Sequence, residues 1–61
     1  MTNKSSILII EDNELDREAW CRYLKSERPD VEIVEADDCS QGFSEMEKKN
    51  FDCVLLDYHL P

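Results

Sequence analysis

One glycine and two prolines in 61 residues leave no room for a Ser/Gly/Pro-rich linker, and no internal repeat or low-complexity tract is visible. A chain of this length makes one small domain at most and hides only about 60% of the surface its unfolded form exposes, so its stability is expected to be marginal. No apolar run approaches the length of a membrane span, and "MTNKSS" carries no secretory pattern, so a soluble, cytoplasmic location is expected. The three cysteines, Cys21, Cys39 and Cys53, are odd in number, widely spaced and never form C-x-x-C, which suggests neither a disulfide framework nor a zinc site and reads as reduced thiols acting as small hydrophobes. Cys39, in an expected loop, is the candidate for incidental reactivity. Basic residues are also scarce, 7 against 15 acidic for a net charge of -8. That balance argues against direct contact with nucleic acid or an anionic membrane and favours cations or basic partners.

What is present is a set of apolar runs punctuated by acids. "ILII" (7–10) is continuously apolar and β-branched, the pattern of a strand covered on both faces in a parallel sheet. Asn13 can cap a helix whose first turn carries Glu14 and Asp16. Leu15, Ala19, Trp20, Tyr23 and Leu24 then recur at helical spacing until Lys25, Arg28 and Pro29 end it. "VEIVEA" (31–36) is broken by Glu32 and Glu35, as suits an edge strand. Asp38 with Gln41 three residues on resembles a capping box, and Phe43 and Met46 supply an apolar stripe before Lys48 and Lys49. Gly42 weakens this second helix by about 1 kcal/mol of propensity. "CVLL" (53–56) again has the character of an interior strand.

The alternation strand, helix, strand, helix, strand predicts an α/β fold built from two crossover units. With the charged second strand outermost, the parallel sheet takes the order 2-1-3 with helices on both faces, and a crevice opens between strands one and three at the switch point. Glu11 and Asp12 follow the first strand and Asp57 follows the third, so all three acids reach one edge. Taken singly, each can merely solvate a loop or cap a helix. Two strands delivering acids to the same crevice is different, because carboxylates about 4 Å apart repel by about 4 kcal/mol at an effective dielectric near 20. Such a cluster calls for a hard divalent cation or protonation, and magnesium, which takes one or two carboxylates and keeps several waters, suits an open crevice.

"ILIIEDN", "VEADDCSQGF" and "VLLDYHLP" together resemble the first half of a response-regulator receiver domain, over essentially the whole chain. The resemblance implies a flavodoxin-like parallel sheet, with residues 1–61 forming the N-terminal β-α-β-α-β half. It implies that Asp57 is the phospho-acceptor, taking a phosphoryl group from a histidine kinase or histidine phosphotransfer protein, in a signalling relay rather than a turnover enzyme. It implies further that Mg2+ is held by Asp12 directly, by Glu11 directly or through water, by Asp57 and by the backbone carbonyl of His59, and that Pro61 stiffens the turn beyond. Cys39 stands where such receivers often have glycine, and Gly42 where alanine is common. The hydroxyl residue, lysine and switch aromatic of later strands have no counterpart here. The alternative readings are a receiver-like interaction module that takes no phosphate and a phosphohydrolase with an aspartyl intermediate, which usually has a second acid where His59 stands. A dinucleotide fold is disfavoured because "EDNELD" has no glycine loop. The uncovered edge of the third strand is expected to offer a surface for self-association.

Overall fold

A computed structural model describes residues 5–57 of the chain. The elements run β1 (Ser6–Glu11), α1 (Glu14–Glu27), β2 (Glu32–Ala36), α2 (Cys39–Lys48) and β3 (Cys53–Asp57). All pairing is parallel in the order β2-β1-β3, with Ile9 opposite Glu35 on one side and Leu55 on the other. The apolar run of β1 thus occupies the centre: Leu8, Ile9 and Ile10 are buried.

Both helices start where the caps put them. Asn13 sits in extended geometry and its side-chain oxygen accepts the Asp16 N–H at 3.0 Å, with Glu14 and Asp16 in the first turn complementing the positive end of the dipole. Asp38 caps α2 by accepting the Gln41 N–H at 2.8 Å, while the Gln41 side chain reaches back to the N–H of Asp37 at 3.0 Å. The reciprocal bond therefore lands one residue earlier than in an ordinary capping box. At the far end of α1 the Lys25 ammonium donates to the carbonyl of Val31 at 2.6 Å and ties the helix exit to the start of β2.

Side chains of a strand alternate faces, and this sorts the helices. Leu8, Ile10 and Ala36 form a buried cluster with Val34, Cys39 and Phe51 packed against it, and α2 covers that face. Ile7, Ile9 and Glu11 point the other way, toward α1, where a groove is lined by Ile7, Leu24, Val31 and Cys53. Helices on opposite faces of a 2-1-3 sheet are what the sequence pattern predicts.

The helical stripes differ from expectation. No residue of α1 is fully buried, and Leu15 is 76% exposed. In α2 the inward position belongs to Gly42, whereas Phe43 is 60% exposed and Met46 lies at the surface. The cause is the glycine itself: without a side chain, the helix settles against Ile10 and Leu8 on its Gly42 face, so Phe43 and Met46 swing aside. The β3 run has interior composition, yet Val54 and Leu56 are exposed on the α2 face and β1 is its sole strand neighbour among the described residues.

The thiols also change places. Cys39 opens α2 and packs against the core cluster, while Cys53 is the exposed one. Burial pushes the Cys21 thiol up from its ordinary range, and the charge and hydrogen bond of Glu35 add to this, outweighing the opposing pull of Arg17. A raised value means less thiolate at pH 8. Iodoacetamide should therefore alkylate Cys53 several-fold faster than Cys21 in the native chain, as followed by peptide mass; equal rates would contradict this placement.

Candidate functional site

The acids meet at the C-terminal edge of the sheet. Glu11 ends β1, Asp57 ends β3, and the parallel register makes them direct partners. Partners in a parallel pair project to the same face, here the α1 face, from strands about 4.8 Å apart. Glu11 is fully buried; one carboxylate oxygen accepts the N–H of Asn13 at 3.0 Å, and its carbonyl accepts from the Arg17 guanidinium at 2.8 Å. Asp12, next along the turn, is exposed. The expected ligand carbonyl of His59 and the turn-stiffening Pro61 lie outside the described residues.

Arg17 organises the turn. Besides the Glu11 carbonyl, its guanidinium reaches Asp37 Oδ1 at 2.7 Å and Glu35 Oε1 at 3.1 Å, so it links the end of β1, the end of β2 and the first turn of α1. Sequence reading did not single it out. The available signal was the shortage of cations: an arginine one turn past a helix cap, in a chain whose strands end in acids, has carboxylates to reach.

Asp57 is half-buried, and its Oδ2 accepts the indole N–H of Trp20 at 3.2 Å. Trp20 stands edge-on to Tyr23, with ring centroids 6.3 Å apart and planes at 81°. These rings, with Ala19, Asp16 and Asp57, line an open groove of about 570 Å³ whose wall is mainly apolar. From sequence, Trp20 counted only as part of the apolar stripe. Its amphipathic ring also carries a donor, which a half-buried position turns toward an acceptor.

The donor set is all oxygen, and the register pairing of Glu11 with Asp57 matches in number the one or two carboxylates that a magnesium ion takes from protein. The described residues contain no group of three His, Cys, Asp or Glu side chains gathered closely enough to hold a metal. The structure thus brings Glu11 and Asp57 together and leaves Asp12 at the rim. The residues present fit a hard cation carrying several waters and do not form a closed protein cage.

A family model described as the response regulator receiver domain matches residues 7–61. No solved structure matches the chain.

Proposed function

The chain belongs to the response regulator receiver domain family, and from that premise we propose that it is a phospho-acceptor module of two-component signalling in which Asp57 receives the phosphoryl group. The observation that carries this assignment is the register pairing of Asp57 with Glu11 at the strand edge, beside an open groove. Of the acids there, Asp57 alone ends a strand and lines the groove.

The donor is a histidine kinase or a histidine phosphotransfer protein. A carboxylate oxygen of Asp57 attacks phosphorus, the phosphorus–nitrogen bond of the phosphohistidine breaks, and the imidazole leaves with its electron pair and takes up a proton. The product is an aspartyl phosphate. Such a transfer needs placement and charge neutralisation more than covalent assistance. The fold supplies placement: Arg17 and Asn13 hold Glu11, and the β1 register fixes Asp57 beside it.

Glu11, Asp12, Asp57 and the backbone carbonyl of His59 would hold Mg2+. When bound, the ion supplies positive charge to the crowded carboxylates and the incoming phosphoryl oxygens. The module relays a signal rather than turning over a substrate, and it works in the cytoplasm. No helix among the described residues is long and apolar enough to cross a membrane.

Incubating the full-length protein with acetyl phosphate and magnesium chloride, then trapping with borohydride and mapping by mass spectrometry, tests the reading. One adduct is expected, on Asp57, and none in Asp57→Asn. An adduct on Asp12, or undiminished labelling of Asp57→Asn, would overturn it, and a protein that takes no label would be an interaction module instead.

A further inference from the structure

We infer that Trp20 is a positioning residue for Asp57, holding one carboxylate oxygen through its indole N–H and losing the charge-assisted character of that bond when Asp57 carries phosphate. This rests on Asp57 being the phospho-acceptor. The two oxygens of the Asp57 carboxylate are unequal in the structure, because Oδ2 accepts from Trp20 Nε1 at 3.2 Å. An indole N–H is a donor with no acceptor capacity, so the contact exists only while Oδ2 presents lone pairs to it. Oδ1 is then the oxygen from which the new phosphorus–oxygen bond is made.

The ring is placed for this task by its neighbours. Trp20 lies on α1, held edge-on by Tyr23 and half-buried over the groove floor, where Asp57 ends β3. In the free carboxylate, Oδ2 shares a full negative charge and the indole bond is charge-assisted, roughly twice as strong as a neutral one. In the acyl phosphate, Oδ2 becomes a neutral ester-like carbonyl oxygen. The same atoms then hold a weaker bond, and Trp20, with the groove wall it forms, is held less tightly once Asp57 is phosphorylated. The covalent change on a strand end is thereby transmitted to a helix through one hydrogen bond.

The indole N–H proton resonance of the full-length protein reads this directly, with the Trp20 signal identified by its loss in Trp20→Phe. Acetyl phosphate with magnesium chloride should move that signal upfield by several tenths of a part per million, relative to magnesium chloride alone, while mass spectrometry shows the Asp57 adduct. Asp57→Asn, which keeps an oxygen acceptor but removes its charge, should place the signal upfield in the same sense without any phosphodonor. An Asp57 adduct with an unmoved indole signal would overturn the inference and leave the functional reading standing. Absence of any adduct would overturn both, and the mass spectrum tells the two results apart.

Discussion

Gly42→Ala should destabilise the protein by about 1–3 kcal/mol, although glycine to alanine inside a helix ordinarily stabilises by nearly 1 kcal/mol. A methyl group built on Gly42 overlaps Ile10 Cδ1, lies 2.9 Å from Ile10 Cγ1 and meets Leu8 Cδ2 at 3.9 Å. Ile10 is 3% exposed and sits on the central strand, and its branched Cβ leaves it few rotamers, so it cannot turn away freely. Relief would require lifting α2 off the sheet, which uncovers the Leu8, Ile10 and Ala36 cluster. Gly42→Val should fall at the top of the range. Urea denaturation followed by circular dichroism gives the midpoints; an Ala variant as stable as the parent would show that the helix moves out without penalty.

Arg17→Met should cost about 1–2 kcal/mol, and Arg17→Lys should restore little of it. The guanidinium side chain is 14% exposed and serves three acceptors at 2.7, 2.8 and 3.1 Å, a fork that a single ammonium cannot reproduce. The ion pairs to Glu35 and Asp37 are discounted because both acids are about half exposed, so the larger share of the effect comes from the hydrogen bond to the Glu11 carbonyl. Salt separates the two contributions: 0.5 M sodium chloride should narrow the gap between parent and Met variant without closing it. A lysine variant with the parent's urea midpoint would show that charge alone matters at this position.

Periodicity and capping chemistry made most of the architecture readable before any coordinates. The unbroken "ILII" run marked the central strand, the glutamates of β2 marked an edge, and Asn13 and Asp38 marked both helix starts. Those signals are local, so the sequence carries them in full. The burial phase of α2 was not readable in this way. A hydrophobic stripe at Phe43 and Met46 pointed to one face, whereas contact is made at Gly42, a residue with no side chain to be counted. Within the site, Glu11 and Asp57 were legible because acids ending apolar strands are conspicuous, and their exact pairing followed only once the register was known. The roles of Arg17 and Trp20 depend on what lies across from α1, which no periodicity encodes.

The central position of β1 has a consequence for the newborn chain. β1 is synthesised first, yet its partners arrive much later: Ile7 pairs with Ile33 and with Cys53. At about 5–20 residues per second, its most apolar stretch waits on the order of seconds on the ribosome before either neighbour exists. During that interval "ILII" is a short, strongly β-prone segment of the kind that seeds aggregation when exposed. Glu11 and Asp12 follow it immediately, and charges flanking such a strand act as gatekeepers against off-pathway pairing. Glu11, fully buried at the end of β1 in the finished fold, and its neighbour Asp12 thus guard the most vulnerable strand while the fold is still being made.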